Sequence, residues 1–270
     1  MLNVFDSHVH TDNSPDGFHS ITHLCEMAVA AGVMGVAITD HYECNRAAAG
    51  NYDVRLRQSL FETTKARVPF GGCLHIARGI ELGQGHLAPE QAERVLSGNR
   101  FDVVLGALHT DRNGIPFCDM DFNDPDLVIT QVLENYFTST LEMVRWGRFD
   151  VLAHLGQPEQ YIWGQYRIPV NLEPHMDTVE EILKALISEG IALEVNTSGL
   201  RHPSGFTFPR EHIVRLYRQL GGELITIGSN AHHADSVGMG FDTAMQMLRS
   251  LGFEYFAFYS GHKPIMLKLI

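Results

Sequence analysis

The sequence has few cysteines, and none of them are paired at metal-binding or redox spacing. The four, Cys25, Cys44, Cys73 and Cys118, are scattered and form no C-x-x-C motif. This usage is typical of reduced thiols in a cytoplasmic protein and argues against a disulfide framework. Cys44, three residues after His41, is the only one whose position suggests that it approaches a polar site.

Basic residues are also scarce. The chain has 20 Lys and Arg against 32 Asp and Glu, which gives a formal net charge of -12 with neutral histidines. A long nucleic-acid track needs a clustered basic footprint, so this balance counts against such a partner. It leaves room for a short phosphorylated ligand, because bound metal cations reverse the local sign of the charge.

Long apolar runs and a targeting signal are absent as well. No apolar run approaches the length of a membrane span, and the first residues have neither a basic segment nor an apolar one of the secretory kind. We therefore expect a cytoplasmic protein with no membrane partner. The hydrophobic content of 44% is ordinary for a folded globular chain and is enough for a substantial core.

What the sequence does contain is a regular alternation of strand-like runs with amphipathic helical stretches. We predict strands at 4–10, 34–39, 74–82, 101–108, 150–153, 191–195, 223–227 and 255–259, and helices at 20–31, 54–66, 89–96, 125–146, 176–189, 209–220 and 241–251. Seven βα units in series predict a parallel sheet, since each helix returns the chain to begin another parallel strand.

No linker-like segment, internal repeat or low-complexity stretch divides the chain. We therefore expect one domain over residues 1–270, folded as a single closed or nearly closed α/β barrel. An open doubly wound sheet is the alternative. The first βα turn lacks a G-x-G-x-x-G sequence, so nothing supports a dinucleotide site.

Polar side chains gather where the predicted strands end. Six of the 15 histidines stand at or just beyond a strand end, and Glu81 and Glu194 end two further strands; the histidines are His8, His10, His41, His109, His154 and His232. In a βα barrel these ends converge on the face that carries the active site. Unpaired imidazoles and carboxylates would be costly to bury there, whereas divalent metals take both as ligands. The pattern predicts a metal site.

Three of these positions carry more specific expectations. His8 and His10 lie two residues apart on a strand and so point to the same face, where both can reach one ion. Asp16 either folds back as a carboxylate ligand or is an ordinary Asp-Gly turn residue, and both interpretations stay open. Asp40 precedes His41 and is expected to fix the tautomer of a ligand by hydrogen bonding.

The candidate ligands are too many for one tetrahedral ion: His8, His10, Asp16, His41, Glu81, His109, His154, Asn230 and His232. We expect two or three divalent ions, with Glu81 of the right type to bridge two of them. Ions a few ångströms apart suit phosphate-ester hydrolysis, one generating hydroxide and others holding phosphoryl oxygens. The expected catalytic set is His8, His10, His41, Glu81, Asn230 and Asp40.

Six short motifs resemble those of the polymerase-and-histidinol-phosphatase (PHP) superfamily, in the same order along the chain. They are DSHVHT at 6–11, ITDH at 38–41, GIE at 79–81, GALH at 106–109, AH at 153–154 and GSNAH at 228–232. The resemblance implies a distorted (β/α)7 barrel with a trinuclear site, usually of zinc, manganese or iron.

Within this superfamily the chain is most similar to the histidinol-phosphatase branch, which releases phosphate from L-histidinol phosphate in histidine biosynthesis. The similarity lies in EVNTSGLR at 194–201, in Asp16 where other branches have histidine, and in GHKP at 261–264. The sequence departs from the pattern in two places, at position 230 and after the histidine of the fifth predicted strand. Asn230 replaces an aspartate, and Gly156 and Gln160 stand where that branch has an aspartate and an arginine.

These observations give one leading hypothesis and two alternatives. The leading one is a metal-dependent phosphomonoesterase for a small phosphorylated substrate, with Arg201 the first choice to hold the phosphate and Arg167 and His202 the further candidates. A loop arginine in solvent is the other interpretation of Arg201. The alternatives are a phosphoesterase for another small metabolite, a nucleotide or a short oligonucleotide, and a catalytically impaired metal-binding scaffold, because Asn230 brings no negative charge.

Overall fold

A parallel sheet forms the centre of the computed structural model, which describes residues 4–269. Its strands are β1 (Phe5–Val9), β2 (Gly35–Ile38), β3 (His41–Glu43), β4 (His75–Gly83), β5 (Val103–Ala107), β6 (Val151–Leu152), β7 (Ala192–Asn196) and β8 (Ile225–Gly228). Two more, β9 (Tyr255–Ser260) and β10 (Lys263–Lys268), form a separate sheet. The helices are α1 (Ile21–Ala30), α2 (Tyr52–Phe70), α3 (Pro89–Gly98), α4 (Ile129–Trp146), α5 (Pro158–Ile162), α6 (Met176–Glu189), α7 (Ser198–Arg201), α8 (Glu211–Gln219) and α9 (Phe241–Ser250).

The strands pair in parallel in the order β1-β2-β4-β5-β6-β7-β8, and β3 pairs with β4 beyond the end of β2. Chain segments after β8 return to β1, where the His10 amide donates to the Ala231 carbonyl at 2.8 Å and the Asn230 amide donates to the His8 carbonyl at 2.8 Å. These bonds bring the two edges together. The expected nearly closed barrel is confirmed, and the open doubly wound alternative is wrong.

Both faces of the strands are covered by apolar packing, as their continuous hydrophobic runs predict. Val103, Val104 and Leu105 are all buried although they alternate in direction, because side chains fill the barrel on one side and helices cover the other. Helix α6 has the bounds expected from its periodicity. Its buried residues follow helical spacing, and it ends at Glu189, just before Gly190, whose φ of 67° suits glycine.

The structure differs from the expected elements mainly in short segments. Helix α4 begins at Ile129 and not at residue 125, because the Asp124 side chain accepts from the Asp126 amide at 2.9 Å and holds a turn there. Strand β3 and helices α5 and α7 were not expected. Each has five residues or fewer, too few to show a hydrophobic period.

The β9–β10 hairpin closes the N-terminal end of the barrel. Phe258 of β9 stacks on Phe5 of β1 with ring centroids 4.4 Å apart, and Gly261 in the hairpin turn donates to Asp102, which precedes β5. The strand expected at 255–259 is therefore antiparallel and lies outside the barrel sheet. The C-terminal end of the barrel stays open. No helix among residues 4–269 combines the length and the apolar character needed to span a bilayer.

Candidate metal centre

The C-terminal ends of the strands bring the predicted histidines and Glu81 into one buried cluster. His8 and His10 come from the end of β1, His41 begins β3, and His109, His154 and His232 follow β5, β6 and β8. The parallel register sets His41 directly opposite Glu81 on β4. His8, His10, Glu81 and His154 are at most 2% exposed. The sequence placed these residues up to about 220 positions apart, and the barrel makes them neighbours.

Glu81 is at the centre of this cluster. Five imidazole nitrogens lie within 3.5 Å of its two carboxylate oxygens: His154 Nε2 (2.6 Å), His109 Nε2 (3.2 Å) and His8 Nε2 (3.4 Å) around Oε1, and His41 Nδ1 (2.7 Å) and His10 Nε2 (3.5 Å) around Oε2. His41 Nδ1 and Glu81 Oε2 are both buried and close, yet they are not aligned as a hydrogen bond. Its two oxygens thus face two separate sets of imidazoles.

The donor atoms of the cluster fit divalent cations. His8 Nε2 lies 3.0 Å from His10 Nε2 in the buried part of the cluster, and His232 Nε2 lies 3.4 Å from His41 Nε2 at the cavity floor, so imidazole nitrogens converge in pairs. Three overlapping groups have ligand atoms within 4.8 Å of one another: His10 with His41 and His232, His8 with His10 and Glu81, and His41 with Glu81 and His109. Imidazole with carboxylate is the donor set of zinc, manganese and iron sites.

The electrostatics of the cluster agree with this fit. Burial lowers the pKa of His10, and the neighbouring His232 lowers it further, so the ring is held in the neutral form that binds metals. Burial would raise the pKa of Glu81, but the imidazoles around it, His8 first, hold that pKa well below its usual range. Burial also lowers the pKa of His8, yet Glu194 and Glu81 outweigh it and raise the pKa to about 10. Positive charge is favoured beside these carboxylates.

Hydrogen bonds on the far side of three rings hold them in place. The Nδ1 atoms donate outward and leave Nε2 directed at the cluster: His8 to Glu194 Oε1 (2.8 Å), His109 to Glu43 Oε1 (2.7 Å) and His10 to Ser14 Oγ (3.0 Å). Such partners fix the tautomer and orientation of a ligand histidine. Sequence reasoning gave Glu43, Glu194 and Ser14 no such role. The signal for Glu43 was its position two residues after His41 on one strand, which directs both side chains to the same face.

Asp40 is where its expected supporting role requires it to be. Its buried carboxylate accepts from the Thr11 amide (2.7 Å) and from the hydroxyls of Thr11 (2.8 Å), Ser14 (2.7 Å) and Ser59 (2.6 Å). It acts on the cluster through Ser14, whose Oγ accepts from His10 Nδ1 and from the His41 amide. This chain of bonds leaves the lone pair of His10 on Nε2.

The two ligand candidates whose roles were least certain also lie at the cluster. Asp16 Oδ1 is 3.5 Å from His41 Nε2 and its Oδ2 is 3.3 Å from His232 Nε2, so the loop folds back as one of its two interpretations required. Asn230 follows β8 in a left-handed conformation with φ of 52°. Its Oδ1 is buried and has no hydrogen-bond partner among residues 4–269.

A cavity of about 720 Å³ opens above the cluster, and its walls include Arg201 and His202. Arg201 is half-buried. Its Nη2 donates to the carbonyls of Ser229 (2.7 Å) and Asn230 (3.3 Å), so it is not the solvated loop arginine of the alternative interpretation. The structure does not bring Arg167 to this wall. That side chain is exposed and its Nη1 donates to the Pro203 carbonyl at 3.4 Å, because the turn after α5 directs it outward.

Of the cysteines, Cys118 lines the cavity, and Cys44, which the sequence suggested, does not. Cys44 is buried in the apolar core.

The structure is thus an α/β barrel that carries a cluster of histidines around a buried carboxylate at its open end. A family model described as PHP domain matches residues 6–198, so the chain belongs to the PHP domain family. Curated relatives extend the similarity over nearly the whole chain. A probable histidinol-phosphatase of Clostridium acetobutylicum is 29% identical over 253 residues, which cover 90% of this chain and 92% of that protein. A probable histidinol-phosphatase of Thermotoga maritima is 28% identical and is covered completely.

Among solved structures, the fold is shared with the histidinol phosphate phosphatase of Lactococcus lactis, crystallised in complex with zinc, L-histidinol and phosphate. The two superpose with a TM-score of 0.86 at 22% identity, over 97% of this chain and 99% of that one. This likeness confirms the (β/α)7 barrel.

Proposed function

We propose that this chain is a metal-dependent phosphomonoesterase of the histidinol-phosphatase type, which converts L-histidinol phosphate to L-histidinol and phosphate. The observation that carries the proposal is Glu81 surrounded by five imidazole nitrogens beneath a cavity walled by Arg201. The curated relatives with histidinol-phosphatase names support the substrate. The small size of the cavity and the scarcity of basic residues favour a small phosphorylated substrate over a long nucleic acid.

The residues proposed to hold two to three divalent ions are His8, His10, Asp16, His41, Glu81, His109, His154, Asn230 and His232. Zinc is the first choice because the donor set suits it and because the structure from Lactococcus lactis contains it, with manganese and iron as alternatives. Bound ions of this kind lower the pKa of an attacking water and supply positive charge beside phosphoryl oxygens.

The chain's own groups have separate tasks. Arg201 Nη1 has no hydrogen-bond partner among the described residues, and its guanidinium is anchored through Nη2, so it presents a fixed charged donor to a phosphoryl oxygen. Glu194, Glu43 and Ser14 orient the imidazoles of the cluster. Pre-set positions of this kind spare reorganisation as negative charge develops in the transition state.

The amino group of the substrate needs a different partner. Three carboxylates line the cavity, and two of them, Asp16 and Glu43, contact histidines of the cluster. The third, Asp119, is exposed at the cavity wall, and we propose that it meets the ammonium group of histidinol phosphate. Asp119→Asn is expected to raise KM for histidinol phosphate about two- to fivefold, the effect of losing an exposed ion pair, while leaving KM for an aryl phosphate unchanged. Asp121→Asn, at an exposed residue outside the cavity wall, is the matched control.

A second candidate function, a metal-binding scaffold with impaired catalysis, is favoured by one feature. Asn230 offers an amide oxygen where the PHP motif that GSNAH resembles has an aspartate, and that oxygen has no partner in the described structure. Turnover of histidinol phosphate, a nucleoside monophosphate and an aryl phosphate after loading with Zn²⁺ or Mn²⁺ separates the candidates. Activity on histidinol phosphate supports the phosphatase. No turnover of any ester by the natural chain or by Asn230→Asp would establish the scaffold.

A further inference from the structure

Ser198 has a buried hydroxyl that the protein leaves without a partner. The residue is 3% exposed, its Oγ makes no hydrogen bond within residues 4–269, and it forms part of the wall of the main cavity. A buried hydroxyl costs folding free energy unless something accepts its hydrogen bond. Its position on the cavity wall indicates that the acceptor is a group in the cavity.

Arg201 presents a second donor from the same helical turn. Ser198 and Arg201 are three residues apart in α7, so their side chains share one face of that turn, and both line the cavity. Arg201 Nη1 is buried without a partner as well, while Nη2 is fixed on two carbonyls. A neutral donor beside a fixed cationic donor suits an anion with several terminal oxygens.

The backbone of Ser198 is tied to the metal cluster through buried side chains. Its amide donates to Asn196 Oδ1 at 3.1 Å, and Asn196 Nδ2 donates to Glu194 Oε2 at 2.9 Å. The other oxygen of Glu194 accepts from His8 Nδ1 at 2.8 Å. The backbone that carries the hydroxyl is therefore held at a fixed place relative to the cluster, which favours binding of a reacting group there.

We propose that Ser198 is a further substrate-binding residue, whose hydroxyl donates a hydrogen bond to a terminal oxygen of the phosphomonoester beside Arg201. The inference rests on the proposed phosphatase function. It assigns the part of the cavity wall formed by Ser198 and Arg201 to the phosphoryl end of the substrate, because the fixed guanidinium attracts an anion and repels an ammonium group, and the hydroxyl beside it in sequence can donate to that anion.

The test is Ser198→Ala in the full-length chain loaded with Zn²⁺. KM for the phosphomonoester and the inhibition constant of inorganic phosphate are expected to rise about tenfold or more, the usual effect of losing a hydrogen bond to a charged oxygen. Ser198→Thr, which keeps a hydroxyl, should restore both. The metal content should not change, because the bonds from Asn196 to His8 do not involve the hydroxyl.

Ser204→Ala is the matched control. The Ser204 hydroxyl lies in the segment just after α7 and donates to the Gly199 carbonyl at 2.8 Å, but Ser204 is not part of the cavity wall. This variant should change the phosphate inhibition constant by less than about twofold. If Ser198→Ala does not fold, Ser198→Cys replaces it, since a thiol keeps the shape and is only a weak donor.

Two results would overturn the inference. One is a folded Ser198→Ala protein with unchanged KM and unchanged phosphate inhibition; the other is loss of metal together with phosphate affinity, which would make the residue structural. Calorimetric titration of the Zn²⁺-loaded protein with inorganic phosphate measures phosphate binding without turnover, so it tests the role of Ser198 separately from the proposed function. If the natural chain hydrolyses no ester, that function fails, whereas equal phosphate affinity of the natural chain and Ser198→Ala refutes the role of Ser198.

Discussion

Replacing Glu194 by glutamine is the sharpest test of how the cluster is held. The carboxylate uses both oxygens as acceptors: Oε1 accepts from His8 Nδ1 at 2.8 Å, and Oε2 accepts from the His154 amide at 2.8 Å and from Asn196 Nδ2 at 2.9 Å. A glutamine has one acceptor and one donor end. All three partners of Glu194 are N–H donors, so in either orientation the NH₂ group of the glutamine faces another donor.

The two orientations have different consequences, and both weaken metal binding. If the NH₂ faces His8, Nδ1 must become an acceptor, and the proton moves to Nε2, which points at the cluster 3.0 Å from His10 Nε2. If the NH₂ faces the other way, two buried donors lose their acceptor, which costs about 1–3 kcal/mol for each unsatisfied group. Loss of the partner of a ligand histidine typically lowers metal affinity about 10- to 100-fold.

The assay is competition for Zn²⁺ with a chromophoric chelator, alongside urea unfolding of the metal-free protein. Glu194→Gln should lose about 10- to 100-fold in affinity, and its free energy of unfolding should fall. Glu180→Gln is the control, because Glu180 is a partly exposed residue that pairs with Lys184 on the surface of α6, where such pairs contribute little. A folded Glu194→Gln protein with Zn²⁺ affinity within twofold of the natural chain would refute the reasoning.

Three further predictions follow from separate parts of the molecule. Arg201→Ala should lower kcat/KM for a phosphomonoester about 100-fold, whereas Arg167→Ala, at an exposed residue away from the cavity wall, should change it less than twofold; steady-state kinetics compare the two. Burial lowers the pKa of His86 to about 4, so protonation favours the unfolded chain, and stability should fall as pH drops from about 6.5 towards 4, by up to about 3 kcal/mol. Urea unfolding at several pH values should show a smaller loss of unfolding free energy in His86→Gln than in the natural chain. The same dependence of that free energy on pH in both proteins would contradict the prediction. Removal of metal by a chelator should lower the Tm. Adding back Zn²⁺ to a free concentration of about 100 times its Kd should raise the free energy of unfolding by about 3 kcal/mol, as measured by calorimetry. An unchanged Tm after complete removal would argue against a metal site that stabilises the fold.

The sequence alone determined the barrel and most of the cluster, because both depend on repeated local patterns. A continuous apolar run such as 103–105 predicts a buried strand, and the hydrophobic period of α6 predicts a helix. Because all the strands of the barrel are parallel, their C-terminal ends lie on one face. His8, Glu81 and His154 could therefore be grouped without a structure. The same reasoning could not assign supporting partners to them.

Tertiary structure decided which side chains meet across the barrel, and in what orientation. Glu194 and His8 are 186 positions apart, so their 2.8 Å contact depends on barrel closure. The sequence made Arg201 the first choice as phosphate partner and left Arg167 as a further candidate. A short helical turn after β7 directs Arg201 to the cavity wall, and a turn after α5 directs Arg167 to solvent. Such short turns have no hydrophobic period, and their direction is set by packing and hydrogen bonds with distant segments. The sequence therefore identified the chemistry of the site, and the fold selected the residues that position it.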